Sequence, residues 1–283
     1  MSFGPNPWQQ AHWDWRAAGN FICGGAGSGL IVAATLSGAR GAALTALLLA
    51  GLALVGLGLL CVALETGRPL RALNVFINPR TSWMSREAIA AALLAPTTLA
   101  AALVWPGLAW LAAPLALVFL YCQGRMLHAA RGIRAWRAPL VPPLIVATGL
   151  TEGLGLLLVG AAWLGLVSVA LVGMLALLVV VRIGLWTAYR RQLGDGVAVA
   201  ANVALDRAGR WLQLAGTAVP VLVLAYLAGP GEAPAGVVAA LGLVAGLAAA
   251  LPGSWFKFVL VTRAGHNQGF ALKRLPVRGV AHG

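Results

Sequence analysis

Apolar runs of about 20 residues recur along the whole chain, each long enough to cross a hydrocarbon core. Eight are marked by hydropathy, at roughly 18–38, 42–64, 86–105, 108–128, 140–163, 166–188, 209–228 and 235–261. The polar stretches between them alternate in length. After spans three, five and seven they are tight Gly/Pro/Trp turns: "WPG" at Trp105–Gly107, "WLG" at Trp163–Gly165 and "GPGEAP" from Gly229. After spans two, four and six they are long and polar. The pattern predicts an all-α integral membrane protein, a bundle of eight transmembrane helices with both termini on the same face. Residues 1–17 form an N-terminal interfacial segment, 18–262 the transmembrane domain, and 263–283 a basic C-terminal tail.

Composition agrees. Of 283 residues 60% are hydrophobic and 10% charged, a balance that leaves no soluble domain in which a basic nucleic-acid groove could sit. The net charge of +13 is therefore read as topology rather than nucleic-acid binding. The terminal segments, the loops after spans two, four and six, and their flanking helix ends hold all but one of the 20 lysines and arginines; Arg40 alone falls on the other face. By the positive-inside rule the rich face is cytoplasmic, and the chain a multi-pass protein of the cell inner membrane. Trp105, Trp110 and Trp163 read as interface anchors on the poor face. The polar, aromatic opening does not read as a cleavable signal peptide. Cys23, Cys61 and Cys122 lie far apart in apolar segments and read as small buried hydrophobes.

Polar chemistry concentrates in one loop, Leu64 to Glu87, "LETGRPLRALNVFINPRTSWMSRE". Glu65 closes span two, where a helix dipole disfavours a carboxylate. Glu87 opens span three just after Ser85, a plausible N-cap, and the dipole favours it there. Arg68, Arg71, Arg80 and Arg86 are near enough in sequence to neutralise both. Two carboxylates beside arginines at a membrane interface suit proton exchange with a lipid-soluble quinone; an ion-paired loop without chemistry explains the same residues. Glu152 falls near the middle of span five, where a carboxyl is costly: it reads equally as a step in a proton path or as a hydrogen-bonded packing residue. The histidines are His12, His128, His266 and His282, without the paired placement a bundle haem requires, so no haem or cluster is expected on this chain. "CGGAGSG", Cys23 to Gly29, lacks the strand and the Lys-Ser/Thr of a phosphate loop and reads as close helix packing. Ser28 with His128 offers only a thin case for an intramembrane hydrolase. Arg125, Arg131, Arg134 and Arg137, with Gln123 and Trp136, form a second basic cluster. Arg182, Arg190, Arg191, Arg207 and Arg210 form a third. Both are consistent with snorkelling and topology, and with a docking platform for a soluble partner.

The same loop carries a family resemblance. "GRPLRALNVFINPRTSWMSREAI" resembles the loop after helix two of membrane anchor subunits of DMSO-reductase-type complexes, the DmsC branch of the NrfD/PsrC superfamily. Gly67, Pro69, Arg71, Ala72 and Asn74 match its first half, and Ser82, Ser85 and Glu87 its second. "QGRMLHAARGIRAW" is similar to the stretch after helix four. Where many members of that family carry a histidine, this chain has Glu65. The resemblance implies eight helices and a quinone (menaquinone or ubiquinone) bound near Glu87, Glu65, Arg71, Asn74 and Ser85. It also implies an iron–sulfur electron-transfer subunit on the basic face and, through it, a molybdopterin catalytic subunit. The opening "FGPNPWQQAHWDWRAAGNFI" is further similar to membrane subunits of phenylacetyl-CoA:acceptor oxidoreductases, whose substrate is cytoplasmic. Glu87, Glu65 and Glu152 are then the candidate proton-exchanging groups. A secondary transporter and a purely structural anchor without a quinone site are the alternatives; no clear inverted repeat favours the former.

Overall fold

The computed structural model describes residues 7–65, 74–231 and 233–268. Among the described residues eight helices are long and apolar enough to cross a membrane: α1 (Trp15–Leu36), α2 (Gly41–Glu65), α3 (Trp83–Leu103), α4 (Pro106–His128), α5 (Val141–Trp163), α6 (Val169–Leu193), α7 (Val199–Leu227) and α8 (Ala235–Arg263). The chain is an all-α membrane bundle, as its hydropathy predicts. Of the loop after α2, residues 66–73 lie outside the described residues, Arg68 and Arg71 among them, as does the basic tail from 269.

Two starts differ from expectation. α3 begins at Trp83 because Ser82, in extended conformation, accepts a hydrogen bond from the backbone N–H of Ser85 at 3.3 Å. Ser82 is thus the N-cap and Ser85 sits in the first turn. α7 begins ten residues earlier than its apolar run. Its first part, Val199–Gln213, turns Ala201, Leu205, Ala208 and Leu212 inward and Asp206, Arg207 and Arg210 outward. Only a helical period, not a continuous apolar run, marks that segment.

α5 is the hub. It packs against α1, α4, α6 and α8, and it is apolar or small nearly all round, as a central helix must be. α1 is its main neighbour on one side. Their backbones nearly touch at Gly29 and Gly153, where a methyl group on either would collide with the other's main chain. Gly27 meets Gly51 of α2 in the same way. The glycines of "CGGAGSG" therefore serve close helix packing, in line with the packing reading.

The core is divided. One apolar cluster, including Leu30, Ile31, Leu94, Leu154, Leu158, Val172 and Val179, fills the half toward the short loops. A second, including Phe21, Leu127, Ile145, Trp186, Tyr189, Leu205 and Phe256, fills the half toward the long ones. Between them runs a polar layer. Along α4 it interposes Gln123 between Phe119 and Leu127; along α5, Glu152 between Ile145 and Leu154; along α6, Arg182 between Val179 and Trp186.

Both described ends of the chain lie on one face and are tied together. Gln10 N–H donates to Gly265 O at 2.8 Å, and Asn267 N–H donates to Trp8 O at 3.0 Å. The loop after α4 joins them: Trp136 stacks on Trp13 and donates from Nε1 to Leu260 O at 2.7 Å. Arg134 lies against Gly196 of the loop after α6. Much of the basic face is thus one connected surface. On the other face Trp105, Trp110 and Trp163 are exposed, as interface anchors would be.

Candidate functional site

A cleft of 780 Å³ lies between the basic-face ends of α2 and α3 and the stretch 74–82. Its wall is mostly apolar: Leu59, Val62 and Ala63 from α2, Met84, Ala88, Ala91, Ala92 and Ala95 from α3, and Val75 and Phe76 from the short 3₁₀ turn 74–77. Polar groups are few: Asn74, Asn78, Ser82, Ser85 and Glu87. An apolar slot with a small number of placed polar groups is what a small, largely hydrophobic ligand needs.

Glu87 is the most informative of these groups. It is buried, with 4% of its surface exposed. Asn20 Nδ2 of α1 donates to its Oε1 at 3.0 Å, and the Gln123 side-chain amide is its second polar neighbour. The arginines expected to neutralise it do not do so among the described residues. Arg86 instead donates to Pro79 O and Arg80 O, at 2.8 and 2.9 Å, and lies 4.1 Å from the centroid of the Trp83 ring. The reason is geometric: neighbours in an α-helix point about 100° apart, so Arg86 faces the loop while Glu87 faces α1.

Glu65 and Glu87 come together. Both line a small cavity of 30 Å³, with Trp13, Asn20 and Val62. Glu65 is half-buried, and Arg16 helps hold the end of its helix by donating from Nη1 to Leu64 O at 3.1 Å. Arg16 also pairs with Asp14 at 2.9 Å, and its hydrogen bonds hold the Asp14 carboxyl below the usual aspartate range. Ser85 and Asn74 both line the large cleft, Ser85 buried and Asn74 exposed. Arg71, with Gly67, Pro69 and Ala72 of the same pattern, lies outside the described residues.

Glu152 lies elsewhere, deep in the polar layer. Its Oε2 is 2.5 Å from Lys257 Nζ of α8, and neither side chain has any exposed surface. Ser254 Oγ donates to its Oε1 at 3.3 Å. Lys257 Nζ also donates to Phe21 O at 2.6 Å. Arg182, likewise fully buried, donates to Ala249 O at 2.8 Å and Gly216 O at 2.7 Å. Phe21 lies in a π-helical turn of α1, Asn20–Gly24, and Gly216 in one of α7, Leu214–Ala218. Such widened turns disturb the regular helical pairing and present carbonyl oxygens to partners. Glu152 is therefore an ion-paired member of a buried cluster.

Arg182 corrects the charge reading. It is not part of a snorkelling surface cluster: its side chain turns inward, where the carbonyls of Ala249 on α8 and Gly216 on α7 hold it. Lys257, close to the basic-face end of α8, also turns inward, to Glu152 and Phe21 O. Taking both from the tally still leaves Arg40 alone on the poor face. Asn20 escaped sequence reasoning altogether. The signal was available, since an asparagine in a span that is otherwise apolar requires a partner. Ser28 Oγ is buried with no hydrogen-bond partner among the described residues, so no Ser28–His128 pair forms. No family model matches the chain, and no curated protein matches it either.

Proposed function

We propose that this chain is the membrane anchor and quinone-reactive subunit of a multisubunit molybdopterin oxidoreductase containing molybdenum or tungsten. The observation that carries the reading is the apolar 780 Å³ cleft that ends on a buried carboxyl, Glu87, held by the Asn20 amide and, among the described residues, by no cation. Menaquinone or ubiquinone, when bound, supplies two-electron, two-proton redox chemistry. The cleft residues fit such a group: alanines and Leu59, Val62 and Phe76 accept an apolar ring and tail, while Glu87, Ser85 and Asn74 offer polar contacts at one end.

Glu87 holds or moves a proton on its carboxyl, whose orientation Asn20 fixes by donating to Oε1. Glu65, on the adjoining small cavity, is placed to pass protons between Glu87 and the aqueous basic face. A carboxyl set between a cleft and an aqueous face suits general acid–base work. Arg71 enters this reading only through the resemblance of its loop. The connected basic face offers a docking surface for an iron–sulfur subunit, and through it for the catalytic subunit.

The narrower form of the proposal is phenylacetyl-CoA oxidation to phenylglyoxylate with quinone as acceptor. It requires a cytoplasmic basic face in a cell inner membrane, which the lysine and arginine bias supports.

The experiment is purification in mild detergent with metal and quinone analysis. The expected result is iron, molybdenum or tungsten, and quinone, together with two larger soluble subunits. In that complex Glu87→Gln lowers quinone-coupled turnover by about 100-fold or more, the scale of a lost acid–base group. Unchanged turnover in an intact complex would reduce the chain to a bare anchor. A lone, metal-free protein would sink the proposal and turn attention to transport.

A further inference from the structure

Four charged side chains are buried among the described residues: Glu87, Glu152, Arg182 and Lys257. They are linked. Asn20 Nδ2 donates to Glu87, and Gln123 Nε2 donates to Asn20 O at 2.9 Å. Gln123 Oε1 and Lys257 Nζ both approach the bare face of Gly25, so the amide and the ammonium are near neighbours. Lys257 pairs with Glu152, and the bare face of Gly253 is lined by both Glu152 Oε1 and Arg182 Nη1. Two acceptors along this track, Asn20 Oδ1 and Gln123 Oε1, are buried without a hydrogen-bond partner among the described residues. Buried acceptors beside glycines, with a cation at hand, are where ordered water resides.

We propose that Lys257, Glu152 and Arg182 form a proton store for Glu87, one proton passing between Lys257 Nζ and the Glu87 carboxylate through water held by Asn20 and Gln123. The step is balanced within the layer. One N–H bond of Lys257 breaks, one O–H bond forms on Glu87, and water carries the proton between them. Arg182 keeps its charge throughout. With the proton on Lys257, the layer holds two cations and two carboxylates. With the proton on Glu87, it holds Arg182 against Glu152 and two neutral groups. Net charge is zero in both states, so the transfer avoids the uncompensated buried charge that makes such moves costly. Glu152 keeps a cation near it in both, first Lys257 at ion-pair distance and then Arg182, which faces the same side of Gly253. The layer thereby gives the cleft a proton that need not come from the aqueous face at the moment of use. The proposal relies on the quinone reading for what consumes the proton, not for its movement.

The test is the infrared carboxylic-acid band of Glu87 in the purified full chain, assigned by its loss in Glu87→Gln and read at one fixed pH. Lys257→Met leaves Arg182 against Glu152, so the band should rise to its full intensity. Lys257→Arg fixes a second permanent cation, so the band should vanish. Glu152→Gln, offered in case either lysine variant fails to fold, should also abolish it. A band of equal intensity in wild type and in the folded variants would overturn the proposal. So would a wild-type structure, at a resolution that shows ordered water, with a dry gap between Gln123 Oε1 and Lys257 Nζ. Water bridging those two atoms is the expected result. Shifted bands without quinone turnover would sink the quinone reading and keep the store; turnover with unmoved bands would do the reverse.

Discussion

Lys257 Nζ lies 2.5 Å from Glu152 Oε2, and neither residue has any exposed side-chain surface. Each alone would be prohibitive in the middle of a membrane bundle, so each makes the other tolerable. Removing one partner breaks a buried ion pair and leaves Arg182 to compensate from a greater distance, at a cost of up to about 3–5 kcal/mol. Glu152→Gln and Lys257→Met should each lower the midpoint of thermal unfolding in detergent. The double variant should recover much of that loss, and a double variant no better than the worse single one would mean that the pair contributes little as a pair.

Asn20 holds Glu87 across the interface between α1 and α3. Asn20→Leu strips the carboxyl of its hydrogen-bond donor while keeping similar bulk. A buried polar group left short of a partner costs about 1–3 kcal/mol. The expected outcome is reduced stability together with reduced turnover in the complex. Full stability and full turnover would show that Gln123 and water suffice.

The contact of Gly29 with Gly153 makes a sharp packing prediction. Gly153→Ala drives a methyl into the main chain of α1, and overpacking of this kind costs about 1–3 kcal/mol. Gly56 faces open space, so Gly56→Ala should be neutral or slightly stabilising. Thermal unfolding of the two variants side by side checks both the interface and its orientation.

Asp14 caps α1 by accepting from the Arg16 N–H at 2.8 Å, and Arg16 holds its carboxyl below the usual range. A carboxyl depressed in the folded state stabilises at pH above its unfolded value, and that stabilisation is lost as pH falls through the folded one. Amide exchange at the start of α1 should therefore stay slow at neutral and mildly acidic pH and quicken only in stronger acid. Asp14→Ala should show the fast exchange at neutral pH.

Much of the site was legible along the chain. Glu65 and Glu87 stood out because few charges interrupt the apolar runs, and the structure sets both on one cavity. Their partners were not legible. Arg86 and Glu87 are adjacent in sequence and face different ways, and the amide that holds Glu87 comes from Asn20 of α1, itself held by Gln123 of α4.

The sequence by itself determined the eight helices and the uneven distribution of charge between the two faces. Both follow from local quantities, the length of each apolar run and the basic residues beside it, which need no knowledge of neighbours. Only the tertiary structure decided which charges go inside. Arg182 and Lys257 lie within a few turns of the basic face, and from there a long side chain can either snorkel outward or turn inward. The choice depends on what the next helix presents. Here that is the Glu152 carboxylate of α5 and the carbonyls of two π turns, groups that come within reach only once the bundle has closed.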